Sequence, residues 1–237
     1  GVQWSGVANW AGDSVEGVQA SGVANVSSQS VMGVQAAGVV NVAGDVRGVQ
    51  ASGVVNVAKD VSGVQMGLVN ISRYMDGVPL GLINISENGG AQLSGWYGGV
   101  TEANLGVRFR AGAFYTLFSY GYTSPSYDTP SSSFDAAESV SSSFSFGARL
   151  PLGIAYINVD GGIVGVDNER LYRYDESIDQ WGVQYRAGIE LPLFWGLSAF
   201  AGIGSHYLVG ADEEMSGEEF GEGVWEDFYF VGGGIEL

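Results

Sequence analysis

GVQAAGVVNVAGDVR (residues 33–47) and GVQASGVVNVAKDVS (48–62) stand side by side and are nearly identical. Working outward from this pair, the triplet Gly-Val-Gln, or Gly-Val-Pro in the last copy, begins at Gly1, Gly17, Gly33, Gly48, Gly63 and Gly77, at spacings of 16, 16, 15, 15 and 14 residues. Six tandem units therefore fill residues 1–86, and the unit of duplication is a single copy. Within a unit, Val49, Ala51, Val55 and Val57 alternate with Gln50, Ser52 and Asn56. That period near two is the signature of a strand.

Two architectures can use such a unit. In a parallel β-solenoid each unit is one coil, and stacking puts Gln3, Gln19, Gln35, Gln50 and Gln65 in one ladder and Asn9, Asn25, Asn41, Asn56, Asn70 and Asn84 in another. In an antiparallel meander each unit is a membrane strand of about ten residues plus a turn. A deletion bears on the choice. GVQMGLVNIS (63–72) is one residue shorter than GVQASGVVNVA (48–58). Strict alternation would then move Asn70 and Asn84 to the face opposite the glutamines. A corner or bulge near Gly53 and Gly67 absorbs the slip, whereas a continuous strand does not. Single-strand duplication would also reverse direction at every copy, yet the copies show no alternation of short and long turns. The solenoid is the expectation, with Asn and Gln rows that satisfy backbone groups and one another.

Near residue 90 the composition changes: only Trp4, Trp10 and Tyr74 of the aromatic residues precede it. From there eight strands are expected, over 91–100, 104–114, 116–124, 139–150, 154–165, 181–192, 196–208 and 226–237. Short links at 114–116, LPLGI (150–154) and PLFWG (192–196) alternate with long polar ones at 124–138, 166–180 and 209–225. Short periplasmic turns with long outer loops are the rule for outer-membrane barrels, and an even strand count puts both barrel ends on the periplasmic side. The faces agree. Val107, Phe109, Ala111 and Ala113 alternate with Arg108, Arg110 and Gly112, and Val183, Tyr185, Ala187, Ile189 and Leu191 with Gln184, Arg186, Gly188 and Glu190. A charge at mid-bilayer on a barrel strand costs about 2–4 kcal/mol, so the charged face points to the lumen. The expected fold is all-β: a parallel repeat region over 1–90 and an eight-stranded antiparallel transmembrane barrel over 91–237. Its rival is one barrel of fourteen strands, six of them from the repeats.

Composition narrows the function. A formal net charge of −17 argues against nucleic acid. The absence of Cys removes disulfides, thiolate catalysis and Cys-ligated zinc, and a single His206 excludes a multi-histidine metal site within one chain. No run approaches 18 apolar residues, so no transmembrane helix is expected. The chain begins at Gly1 rather than Met, so the lack of a visible secretory leader says nothing. No cofactor or metal is expected.

Three groups of residues invite chemistry. Arg108, Arg110, Arg149 and Arg186, with Asp160, Glu190 and Glu236, form a luminal charge cluster; an eight-stranded barrel is just wide enough to be filled by side chains, so these charges are expected to pair as a structural plug. An anion-preferring passage or a lipid-phosphate site are the alternatives. Ser205 beside His206 suggests a hydrolase, but alternation puts the two on opposite faces, and Ser198 lies about 26 Å along the strand from His206. The loop bearing Asp212, Glu213, Glu214, Glu218, Glu219 and Glu222 is acidic, but DEEMSGEEFGEG lacks the ligand spacing of an EF-hand and reads as a solvated outer loop.

The GVQxxGVxNVAxDV repeats leading into DGVPLGLINISENGG (76–90) and then ANLGVRFRAGAFYTLFSYG (103–121) resemble bacterial surface-repeat proteins with a C-terminal β-barrel-like region. That resemblance implies outer-membrane or surface placement and carries no catalytic residues across. The apolar Leu237 at the end of the last strand is similar to a barrel's terminal strand signal, where an aromatic is usual. The expected function is non-enzymatic: an integral outer-membrane protein with a structural or docking role in the envelope, in contact with outer-membrane lipid and a further envelope protein. A passive pore is the second reading and a lipid-modifying barrel enzyme the third.

Overall fold

The computed structural model describes residues 1–124, 138–169, 178–210 and 223–237. In chain order the strands are β1 (Val2–Ser5), β2 (Ala8–Ala11), β3 (Val15–Ser21), β4 (Ala24–Ser27), β5 (Val31–Ala37), β6 (Val40–Val42), β7 (Val46–Ser52), β8 (Val55–Met66), β9 (Val69–Leu80) and β10 (Ile83–Ser86). They continue as β11 (Gly90–Tyr97), β12 (Ala103–Ala111), β13 (Phe114–Thr123), β14 (Glu138–Leu152), β15 (Ala155–Glu169), β16 (Ile178–Pro192), β17 (Leu197–Gly210) and β18 (Val224–Glu236). No helix occurs among the described residues. The chain forms two compact units, Gly1–Ala91 with Phe109–Thr116, and Gln92–Arg108 with Leu117–Leu237.

In the first unit every pairing of β1 to β10 is parallel, and each repeat is one coil with two strand segments. This overturns the fourteen-stranded barrel, whose strands would have to alternate in direction. Gln3, Gln19, Gln35, Gln50 and Gln65 stack in register, as do Asn9, Asn25, Asn41, Asn56, Asn70 and Asn84. The missing residue of the fifth unit falls at the corner between Met66 and Leu68. There the strand is broken, so Asn70 still lies beside Asn56.

The interior is held by amides as much as by apolar contact. Each Gln Nε2 donates to the Gln Oε1 of the coil before it at 2.8 Å, from Gln19 to Gln3 and onward to Gln65 with Gln50. The Asn Nδ2 groups from Asn9 to Asn70 donate the other way, to the Asn Oδ1 of the next coil at 2.8–3.1 Å, and also to a corner carbonyl such as Ala36 or Ala51 at 2.6 Å. The Gln ladder stops where Pro79 takes the next place, which leaves Gln65 Oε1 buried with no hydrogen-bond donor. Beside the ladders runs an apolar column of Val15, Val31, Val46, Val61 and Met75, with Ala43, Ala58 and Ala111. The repeated glycines have a steric cause. Gly48 sits at φ +134°, and a Cβ there would lie 2.1 Å from the Gly33 carbonyl oxygen.

Coils that contact only their neighbours make a solenoid divisible by whole units. Deleting residues 48–62 is expected to leave a protein that assembles with a modest loss of stability. Hydrogen exchange should then show the amides of the remaining coils still protected.

The second unit is a closed antiparallel barrel in the order β11 to β18, sealed by β11 against β18. Inside and outside faces alternate most plainly on β16. On β16, Trp181, Val183, Tyr185, Ala187, Ile189 and Leu191 face out, while Gly182, Gln184, Arg186, Gly188 and Glu190 face in. At about 3.3 Å per residue and a tilt of about 40°, that outward run stands roughly 25 Å tall, the height of a membrane barrel's apolar band. Aromatic residues sit at both ends of the band. Near the long links, the Trp225 ring is 5.9 Å from Tyr185 and 5.4 Å from Tyr207. At the short β16–β17 turn, Phe194 and Trp195 form an edge-on pair, with Trp195 in the left-handed region at φ 57° and 89% exposed. A strained, exposed Trp at this position suits an indole held at a membrane interface.

Candidate functional site

The lumen of the barrel is built from the inward positions of the alternating strands. Its lower layer centres on Glu190, which is fully buried. Glu190 Oε1 accepts from Gln92 Nε2 at 3.1 Å and Arg149 Nη2 at 3.2 Å. Oε2 accepts from Arg108 Nη1 at 3.0 Å and Asn158 Nδ2 at 2.7 Å. One carboxylate from β16 thus binds side chains from β11, β12, β14 and β15. Gln92 extends the network, accepting from Arg108 at 3.1 Å and donating to Ser198 at 2.9 Å. Arg149 also lies over the Tyr156 ring, 3.6 Å from its centroid. A second pair, Arg186 with Asp160, is joined at 2.8 and 2.9 Å.

Toward the long links the lumen turns aromatic. Trp96, Phe200, Phe228 and Phe230 point inward with ring centroids 6.3–6.5 Å apart, and Arg186 lies over Trp96 at 5.4 Å. Glycines make room for them: a Cβ at Gly202 would lie 2.6 Å from the Phe230 ring, and one at Gly204 2.3 Å from Phe228. This large-against-small matching is how small barrels fill a tapering interior. Among Ser94, Trp96, Arg108, Asn158, Asp160, Arg186 and Phe230 a cavity of about 20 Å³ remains, space for about one water.

What the arrangement can do chemically follows from its saturation. An ionised carboxylate offers about four acceptor sites, and Glu190 has four donors on them. It has no free lone pair for a proton, a metal or a ligand, so it ties strands together.

The structure brings Arg108, Arg149 and Glu190 into one group and Arg186 and Asp160 into another. Arg110 is buried too, but it belongs to the first compact unit and donates Nη2 to the Gly89 carbonyl at 3.2 Å. Glu236 is exposed at the end of β18, which corrects its placement in the buried cluster. It has the inward parity, yet it lies exposed at the last position of the last strand. Gln92 and Asn158 escaped the sequence reading, which looked for charges, and Ser198 was weighed there only as a partner for His206. Polar side chains at inward parity, Gln92 with Ser94 and Asn158 with Asp160, were the available signal. His206 is buried, its Nε2 3.4 Å from Glu226 Oε2 and its ring 5.7 Å from Phe228, and no Ser hydroxyl is among these partners. Ser198 is bonded to Gln92 instead. Asp212, Glu213, Glu214, Glu218, Glu219 and Glu222 lie outside the described residues.

Apolar and aromatic outside, charged inside and closed without a free edge, this second unit has the architecture of a transmembrane β-barrel. Among solved structures, the chain is similar to the N-terminal β-barrel domain of OprF from Pseudomonas aeruginosa, at 13% identity and a TM-score of 0.44 over 63% of this chain and 99% of that one. It is also similar to Neisserial surface protein A, at 11% identity and a TM-score of 0.42 over 62% and 94%. OprH of P. aeruginosa matches at 16% identity and a TM-score of 0.39 over 62% and 98%. No family model and no curated protein matches the chain.

Proposed function

We propose that this chain is an integral protein of the bacterial outer membrane whose barrel is an anchor and whose repeats serve a structural or docking role in the envelope, without enzymatic activity. The observation that carries the reading is the filled lumen: a four-donor carboxylate, a second ion pair and an aromatic layer occupy the space through which a solute would pass. Outward Trp181, Tyr185, Ile189 and Leu191 supply the lipid-facing surface, and outer-membrane lipid is the partner of that surface. The non-enzymatic reading is supported by the saturation of Glu190 and by the separation of Ser205 from His206 on alternate faces of β17. Another envelope protein is the partner proposed for the repeats.

The test is electrical. The protein reconstituted into a planar lipid bilayer is expected to show no steady open conductance, because buried charges that satisfy one another leave no water-lined path. A stable, selective open channel would replace the anchor reading by that of a passive pore.

A further inference from the structure

The repeats are polar inside and aliphatic outside. In the third coil, residues 34–37 and 40–42 form two runs that meet at a corner. Gln35 and Asn41 point into the stack and are fully buried, while Val34, Ala36, Val39, Val40 and Val42 point out. The fourth coil repeats this with Val49, Ala51, Val54, Val55 and Val57 outward, and the matching positions of the other four coils hold only Val, Ala, Leu, Ile, Met and Trp. Ser5, Ser21 and Ser52, next to the corner, keep their hydroxyls buried. Charged residues such as Glu16, Arg47, Lys59, Arg73 and Asp76 are confined to the remaining side of each coil, the stretch that leads into the next Gly-Val-Gln triplet. Strand β16 of the barrel has the same polarity, with Arg186 and Glu190 inside and Ile189 and Leu191 outside.

The corner is convex. Gln35 Nε2 reaches Val42 O at 3.2 Å and Asn41 Nδ2 reaches Gln35 O at 3.3 Å, so the two runs enclose their amides and their outward side chains diverge. Val23, Val39, Val54, Leu68 and Leu82 crown the corner in one row, 39–48% exposed. The main chain beneath them is paired within the protein. Asn25, Asn41, Asn56 and Asn70 donate to the carbonyls of Ala36, Ala51, Met66 and Leu80 at 2.6–3.1 Å, and Val39 N and Val40 N both donate to Val23 O at 3.0 Å. Irregular backbone is tolerated at membrane depth only where protein satisfies its polar groups in this way.

We propose that this wedge is immersed in lipid, its corner row and both aliphatic slopes in the acyl layer of one leaflet and its charged side in water. Coils about 4.8 Å apart, with slopes of about four residues each, give an aliphatic surface of roughly 700 Å². That exceeds the few hundred Å² of the largest apolar patch on an ordinary soluble monomer. Each slope is about 13 Å long, within half of a hydrocarbon core about 30 Å thick. A protein partner fits poorly. Specific interfaces carry about one hydrogen bond per 100–200 Å², and these slopes present no polar side chain to make one. A second copy laid on one slope would leave the other bare, whereas fluid hydrocarbon wets both sides of a convex edge. Asp and Glu outnumber Lys and Arg on the charged side, so apolar burial and not headgroup attraction drives the immersion. The envelope protein proposed above is left the charged side as its surface, and a conducting barrel would leave the wedge untouched.

The chain has no Cys, so single nitroxide labels can be placed by substitution. The test uses the full chain in phosphatidylcholine vesicles, labelled in turn at Val39→Cys, Val54→Cys and Leu68→Cys on the corner, at Arg47→Cys and Lys59→Cys on the charged side, and at Ile189→Cys on the barrel as the lipid reference. Collisions with oxygen, which concentrates in hydrocarbon, are compared with collisions with a nickel chelate that stays in water. The oxygen-to-nickel ratio is expected to be several-fold higher at the three corner positions than at Arg47 and Lys59, to approach that of Ile189, and to be the same at low and high salt. Hydrogen-exchange protection of the coil amides checks each variant, and if one label loosens its coil the other corner positions decide. Nickel access at the corner equal to that at Arg47 would overturn the proposal. Corner labels shielded from both reagents would overturn it as well, by showing a protein cover, with spin–spin broadening identifying a second copy of the chain.

Discussion

Glu190→Ala is expected to cost the barrel about 3–5 kcal/mol, the penalty for leaving buried charge without its partner. Arg108 and Arg149 would keep their charge and lose the carboxylate they share, while Gln92 and Asn158 would each lose an acceptor. Because the four donors come from four other strands, the loss should appear as unfolding of the whole barrel. Guanidinium unfolding in lipid vesicles, followed by tryptophan fluorescence, measures it. Glu190→Gln should recover little, since an amide presents one acceptor oxygen and turns an NH₂ toward guanidinium groups. Adding Arg108→Met to Glu190→Leu should recover part of the stability, because buried ion pairs exchange for apolar packing at little net cost. A change below about 1 kcal/mol for Glu190→Ala would show that water reaches the site, and the filled lumen would have to be given up.

The second large effect belongs to the repeats. Gly48→Ala should destabilise the solenoid by about 3 kcal/mol or more, from a left-handed backbone position and from overpacking. The new Cβ would meet the Gly33 carbonyl at 2.1 Å, and that carbonyl is backbone, which cannot swing aside. Gly12→Ala is the matched control, since a Cβ there meets nothing within 4 Å. Hydrogen exchange should show lost protection across β5 to β8, with the barrel amides unchanged. Equal behaviour of the two variants would show that the glycine column is not what sets coil spacing.

The strands of the barrel were legible because each carries its own two-face pattern: β16 reads as inside and outside from Trp181 to Leu191 without reference to any other strand. The repeats were legible for a related reason. A unit copied in tandem must stack like on like if it stacks in parallel, so the Gln and Asn ladders follow from the spacing alone. Hairpin parity was equally local: short links at Gly112, Gly153 and Gly196, all at positive φ, alternate with longer ones. Arg110 and Glu236 show where that logic stops. Parity tells which way a side chain points but not its height in the barrel, so one Arg fell in the other unit and one Glu at the last position of the last strand.

By itself, then, the sequence determined the strands, their inward and outward faces and the repeat period, because alternation and duplication are written in neighbouring residues. Only the tertiary structure decided that the repeats run parallel rather than as membrane strands, which way each amide ladder donates, and that Glu190 is the common partner of Gln92, Arg108, Arg149 and Asn158. Those partners lie 98, 82, 41 and 32 residues away in sequence. Their meeting depends on the strand stagger with which the barrel closes, a property of all eight strands together that no single strand encodes.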